Sequence, residues 1–256
     1  MSPQQQTLKG KVAIVTGGTR GIGEAIVKLL ASRGADVVIN YTSDSSESLA
    51  KNLIEQVKTH GVKAVSVQAD MGSLDAPKKI VNAAVEAFGK IDIIVNNGGV
   101  ADFKPLTDLT VEHYEKIYNV NVRGPLFLVK ESIPHLQEYG RIINISSVAA
   151  RLGLAGSSVY ASSKTALESL SRVWATELAD KNVTSNSVNP GPVLTNMLSS
   201  LGPEFVDGMQ KSTERAAFPR FGTVEEIANI VGFLAGPESQ WVTGDVLSGN
   251  GGYLYL

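Results

Sequence analysis

The chain has 256 residues, of which 43% are hydrophobic and 19% charged, with a formal net charge of −2 and no cysteine. That length suits one large α/β domain or two small ones. The charge balance excludes nucleic-acid or anionic-membrane binding driven by a basic excess, and the lack of cysteine excludes disulfides and thiolate metal sites. His60, His113 and His135 are scattered without metal-ligand spacing, so no metal is expected. No apolar run approaches the ~18 residues of a membrane helix. Residues 1–7 are polar and lack the apolar core of a secretory leader, and residues 253–256 form no known address or lipidation signal. A soluble, cytoplasmic protein is expected.

Short β-branched runs alternate with amphipathic stretches along the whole chain. The pattern predicts strands at 11–16, 36–40, 62–68, 91–95, 141–145, 183–188 and 246–247. Between them it predicts helices at 21–33, 45–60, 73–88, 111–135, 158–180 and 224–234. Alternation of this kind implies βαβ units and a parallel, doubly wound sheet with helices on both faces. With no linker, repeat or low-complexity tract, one α/β domain with seven strands is expected.

The first turn reads Thr16-Gly17-Gly18-Thr19-Arg20-Gly21-Ile22-Gly23. Glycines allow a tight turn and close approach of backbone N–H groups to a phosphate, and a helix N-terminus adds positive potential. At the first strand of a βαβ series this points to a dinucleotide. The second strand ends in Asn40-Tyr41-Thr42, with no acid before Asp44, whereas NAD sites place a carboxylate there for the ribose hydroxyls. Arg20 in the turn could pair with a 2′-phosphate. The reading favours NADP(H) over NAD(H).

Further strand ends bring polar residues to the same crevice. Asp70 and Met71 follow the third strand; Asp70 could accept from an adenine amino group or cap the helix expected from Ser73, and both readings stay open. Asn96-Asn97-Gly98-Gly99 follows the fourth strand, and the stiff turn Pro190-Gly191-Pro192-Val193-Leu194-Thr195 the sixth. Ser146 and Ser147 end the fifth strand, and Tyr160 and Lys164 lie in the helix after it. Positions i and i+4 share a helix face, so the Lys164 ammonium could approach the Tyr160 phenol and lower its pKa toward a range useful for proton transfer. Taken alone, the pair could equally be a packed ring and a solvated ammonium.

Together these motifs resemble the short-chain dehydrogenase/reductase family, in its branch of about 250 residues with a single Rossmann domain. The likeness runs from about Leu8 to Gly252 and rests on several motifs in the family's order: the turn at 16–23, Asn96–Gly99, Asn121 in Asn-Val-Arg-Gly, Ser147, Tyr160/Lys164, and Pro190-Gly191 with Thr195. The resemblance implies an oxidoreductase in which Tyr160 is the general acid of carbonyl reduction and Ser147, rather than Ser146, hydrogen-bonds the substrate oxygen. It also implies that Lys164 binds the nicotinamide ribose and that Asn121 holds a water linking Lys164 to solvent. The chain departs from the family pattern at Gly98, where alanine is usual, and at Asn250, where aspartate is common.

The resemblance places a cofactor-binding core with the catalytic residues at 8–195, a substrate lid at 196–221 and a terminal helix and strand at 222–256. The lid carries Met197, Leu198, Leu201, Phe205, Met209, Phe218 and Phe221, with mixed charges and no cluster to clamp a phosphate. An apolar, cyclic or polyketide-like ketone is the expected small-molecule substrate, although the same side chains could simply pack a helix onto the sheet. The residues at 149–158 are expected to form another wall. The chain is similar in style to hydroxynaphthalene and other secondary-metabolite ketoreductases, with 3-oxoacyl-carrier reductases the nearest rival. A non-redox biosynthetic step and a cofactor-binding regulator remain as other readings, and the family implies a homotetramer.

Overall fold

The computed structural model describes residues 6–255; the polar stretch at 1–5 and Leu256 lie outside them. Seven strands run β1 (Val12–Val15), β2 (Asp36–Tyr41), β3 (Ala64–Gln68), β4 (Ile91–Asn96), β5 (Leu136–Ile145), β6 (Thr184–Pro190) and β7 (Val246–Gly249). They form one parallel sheet in the order β3-β2-β1-β4-β5-β6-β7. Valine and isoleucine fill β1, β2 and β4 because both faces of this sheet are covered. On one face, α1 (Gly21–Ser32), α2 (Glu47–Lys58) and α9 (Val224–Ala235) pack around Ile26, Leu30, Leu53 and Val231. On the other, α3 (Ala76–Phe88), α5 (Gly124–Ser132) and α6 (Ser158–Glu177) pack around Ile80, Leu128, Leu167 and Trp174.

The sheet order reverses between β1 and β4, so the ends of these strands part and leave a crevice above them. Such a reversal is where open α/β sheets bind ligands. Local signals fix several element ends. Thr223 and Glu226 close a capping box at the start of α9, and Gly89, at φ 76°, ends α3 in the left-handed conformation that glycine tolerates best.

Three sequence expectations need correction. The helix expected at 111–135 is α4 (Val111–Tyr118) and α5 joined by a π-turn segment, Asn119–Arg123. The extra residue per turn brings the Asn121 side chain inward, and Arg123 reaches the Gly72 carbonyl. The fifth strand begins at Leu136 rather than 141, because Leu136 pairs with Ile91 while Arg141 pairs with Ile93. Residues 137–140 bulge out between those pairs, with Tyr139 at φ 60°. The third helix starts at Ala76, and Asp70 does not cap it. The Asp70 carboxylate accepts from Gly72 N at 2.9 Å in a local turn.

Candidate active site

The crevice above β1 and β4 is a cleft of about 770 Å³ that runs from the glycine turn to the short α7 (Asn196–Ser199) and α8 (Pro203–Thr213). At its near end, Gly17 and Gly21 take φ values of 60° and 53°. A Cβ on Gly23 would overlap the Gly17 carbonyl oxygen and the Asn97 amide, so the turn can close only with glycine there. The Asn97 amide donates to the Thr16 and Gly17 carbonyls at 2.9 and 3.1 Å, while Thr16 Oγ1 accepts from the backbone N–H of Asn97 and Gly98. The β1 and β4 ends are thereby locked together as one cradle. A Cβ on Gly98 would come 3.2 Å from Thr16 Oγ1, a contact that a shift of a few tenths of an ångström would relieve.

Arg20 caps α1 without a side-chain bond to the helix and makes no ion pair among the described residues. It borders the cleft with Tyr41, Thr42 and Ser43. The first acid after β2, Asp44, is engaged by Gln68 Nε2 at 2.7 Å. Thr19, Gly21, Ile22, Gly99, Pro190, Gly191, Val193 and Thr195 also reach the cleft, as expected from their positions. Asn40, Asp70 and Met71 are not part of its lining. The buried Asn40 amide accepts from Gly17 N and donates to the Val67 and Ala69 carbonyls, so it braces the turn rather than facing a ligand. Met71 lies in the core against Gly124.

At the far end of β5 the two serines diverge. Ser146 is buried, and its hydroxyl donates to Glu168 Oε1 at 2.9 Å. Ser147 faces the cleft in extended backbone (φ −167°), with its Oγ accepting from Ala149 N at 3.1 Å. Its hydroxyl also meets Tyr160, and that hydrogen bond pulls the phenol pKa down against the larger effect of burial, which pushes it up. Lys164 is buried, donates to the Ile145 carbonyl at 2.7 Å, and has its Nζ 5.9 Å from the Tyr160 ring centre. Burial lowers its pKa to about 8. Burial therefore outweighs the lowering of the phenol pKa expected from Lys164. Tyr160 stays above its ordinary value because desolvation disfavours the phenolate, and Lys164 spends its charge on a carbonyl while being desolvated itself.

Asn121, buried in the π-turn, donates to Val100 O and Ser163 Oγ and accepts from Val100 N. A Cβ on Gly99 would lie 3.3 Å from Asn121 Oδ1 and 3.4 Å from Lys164 Nζ. The missing side chain thus leaves these two polar groups facing a common space.

Beyond Tyr160 the cleft turns apolar. Of the seven apolar residues expected to form a lid, Met197, Leu198, Leu201, Phe205 and Met209 line it, while Phe218 sits under the C-terminal segment against Gly251. Leu152 and Leu154 supply the wall expected from 149–158. Two lining residues had no signal in the sequence. Phe103, in the irregular loop after β4, packs its ring at a tilt between Tyr160 and Phe205, with ring centres 5.6 and 5.1 Å away. Tyr253 arrives from the C-terminal tail, where its hydroxyl meets Ser212 Oγ of α8 at 2.9 Å. Asn250 steadies that tail by donating to Leu254 O and accepting from Gly252 N.

A family model described as Enoyl-(Acyl carrier protein) reductase matches residues 17–254. The short-chain dehydrogenase/reductase FrzI of Cladobotryum sp is 49% identical over 251 residues, 96% of each chain. The chain belongs to the short-chain dehydrogenase/reductase family of oxidoreductases. Hydroxynaphthalene reductase arp2 of Aspergillus fumigatus is 37% identical and covers 94% of this chain and 91% of its own. Among solved structures, the blue fluorescent protein from a metagenomic library in complex with NADPH superposes with a TM-score of 0.92 at 38% identity, covering 97% of this chain and all of that one. This short-chain dehydrogenase/reductase has the sheet order and glycine cradle expected of a dinucleotide-binding Rossmann fold. No helix among the described residues is long and apolar enough to cross a membrane, and no His, Asp and Glu cluster among them could hold a metal.

Proposed function

We propose that this chain is an NADPH-dependent ketoreductase that reduces a cyclic or polyketide-like ketone to a secondary alcohol, reversibly. The observation that carries the reading is one continuous cleft. It joins a glycine cradle and Arg20, which has no ion pair among the described residues, to the Ser147/Tyr160/Lys164 group and then to an apolar wall. The cradle fits a dinucleotide phosphate: Gly17, Gly21 and Gly23 line it without side chains, and the N-terminus of α1 points its free N–H groups there. Bound NADPH would supply the hydride.

The chain's own residues do the rest. Ser147 Oγ hydrogen-bonds the substrate carbonyl oxygen, and Tyr160 Oη gives that oxygen its proton as negative charge develops on it. Because burial keeps the phenol protonated at neutral pH, Tyr160 is poised to donate, which suits reduction better than oxidation. Lys164 holds the ribose hydroxyls and, with Asn121 across the space at Gly99, orders a water that returns the proton. Arg20 takes the 2′-phosphate, supported by the absence of any free acid at the end of β2.

The apolar class of substrate is supported by Phe103, Leu152, Leu154 and Phe205 around the far end of the cleft, and by the likeness to an enzyme named for reducing a hydroxynaphthalene. The test is loss of nicotinamide absorbance when the enzyme meets NADPH and a panel of aryl, cyclic and thioester-linked ketones. Consumption only with the thioesters would favour an acyl-carrier substrate, and product formed without NADPH oxidation would reveal a non-redox step. Arg20→Ala is expected to weaken NADPH binding about 10- to 100-fold with NADH little affected, since one charge-assisted hydrogen bond is worth about 1.5–3 kcal/mol. Fluorescence titration with both nucleotides measures this; an equal change for both would remove Arg20 from the 2′-phosphate.

The exposed apolar side chains Val111, Tyr114 and Phe127 on α4 and α5, with Val173 on α6, support a homotetramer built through these helices. Light scattering at four times the chain mass checks this.

A further inference from the structure

We propose that Glu168 is a positioning residue that sets the orientation of Ser147 by holding the residues on either side of it. The proposal rests on the reading of Ser147 as the group that hydrogen-bonds the substrate carbonyl. Glu168 is 1% exposed, lies outside the cleft lining, and takes no part in proton transfer. A carboxylate is expensive to bury and is found buried when it is paired. Here it is paired at both oxygens. Oε1 accepts from Ser146 Oγ at 2.9 Å, and Oε2 accepts from Arg151 Nε at 2.9 Å and lies 2.8 Å from its terminal Nη2 in an ion pair. Ser146 and Arg151 bracket the short turn Val148–Ala150 that Ser147 caps.

The geometry follows from helix periodicity. Lys164 and Glu168 are one turn apart on α6 and share a face. Lys164 Nζ holds the Ile145 carbonyl at 2.7 Å, and one turn on, Glu168 holds the next residue by its hydroxyl. The same helix thus grips consecutive residues at the end of β5. Two further contacts steady the segment: Ser146 N donates to Val188 O at 2.8 Å, and Thr165 Oγ1 donates to Ala150 O at 3.0 Å. Ser147 is steadied through the turn, by Ala149 N to its Oγ and Ala150 N to its carbonyl, besides its hydroxyl's bond to Tyr160. Its direction therefore depends on where residues 146 and 151 are held. Arg151 is 36% exposed in its side chain and could be solvated without Glu168. The buried carboxylate is thus needed less by Arg151 than by the loop that Arg151 closes.

The test is a double-mutant cycle on the full chain with NADPH and a ketone that the wild type reduces. Glu168→Gln keeps the shape and an acceptor for Ser146 but removes the charge that holds Arg151. It is expected to lower kcat about tenfold, the scale of a small misplacement at a reacting centre, with the NADPH Kd within about twofold of wild type. Ser147→Ala should lower kcat by more, and adding Glu168→Gln to it should cost less than about twofold further, because coupled residues are not additive. Arg151→Gln, which removes the exposed arm alone, should show a smaller loss with the same coupling; it carries the test if Glu168→Gln does not fold. Arg151→Lys should recover part of that loss. Full multiplication of the Glu168 and Ser147 effects, or a kcat for Glu168→Gln equal to wild type while Ser147→Ala is slow, would overturn the proposal. A Ser147→Ala variant as fast as wild type would instead overturn the reading of Ser147, and the positioning role with it.

Discussion

Tyr160→Phe is expected to lower kcat for ketone reduction by about 10²- to 10⁴-fold, the range contributed by a positioned general acid. The substitution removes one oxygen and keeps the ring. The tilted contact of Phe103 at 5.6 Å should persist, as should the burial of the neighbouring Val159. Melting temperature and NADPH affinity should therefore stay close to wild type, so that lost rate reports lost chemistry. The physical reason for so large an effect is the state of the phenol. Burial raises its pKa above the ordinary value for tyrosine, with the Ser147 hydrogen bond opposing only in part, so at neutral pH the group carries the proton that the nascent alkoxide needs. The same state makes it a poor base, and alcohol oxidation should require more alkaline solution than ketone reduction. Steady-state rates in both directions decide the matter: a variant within tenfold of wild type would show that the proton comes from elsewhere.

Much of the fold was legible because its signals are local. The β-branched runs at Val12–Val15 and Ile91–Asn96 read as buried strands, and Gly17, Gly21 and Gly23 marked a turn that only glycine can make. The site was legible where a motif carries its own geometry, as Tyr160 and Lys164 do at i and i+4. What the sequence hid depends on contacts between distant residues. A π-turn adds one residue to a helix, and the 3.6-residue pattern around Asn121 has no means of announcing it. Asn40 suggested a ligand contact by its position, yet its amide turns inward to Val67 and Ala69. Phe103 lies in a loop without periodicity, and its role appears only when Phe205, about a hundred positions on, is brought beside it. The direction of the Tyr160 pKa escapes the sequence for the same reason: spacing shows a neighbouring cation, while burial of both groups, which spacing cannot show, decides the sign.

Lys164→Met should separate activity from stability. The Lys164 ammonium is enclosed, and its pKa of about 8 lies below the 10.5 of a free lysine because burial disfavours its charge. Keeping a cation there at pH 7 costs the fold about 3 kcal/mol, since a tenfold change in a proton equilibrium is worth about 1.4 kcal/mol. Methionine removes that cost but leaves the Ile145 carbonyl without its donor, which costs about 1–3 kcal/mol. The two effects nearly cancel, so thermal melts at pH 7 should differ little, while kcat/KM should fall at least about 10²-fold as a preorganised donor is lost. The pH dependence gives a second check with a definite sign. Between pH 8 and about 10.5 an unfolded chain keeps the lysine proton and the folded protein has released it, so wild-type stability gains with rising pH relative to Lys164→Met across that window. Over the same rise, wild-type kcat/KM for reduction should decline from about pH 8 as the ammonium is lost, with Tyr160 still protonated. Melts and rates taken at pH 7 and pH 9.5 test both. Loss of wild-type stability relative to the variant with rising pH would mean that the ammonium is held by something other than one carbonyl.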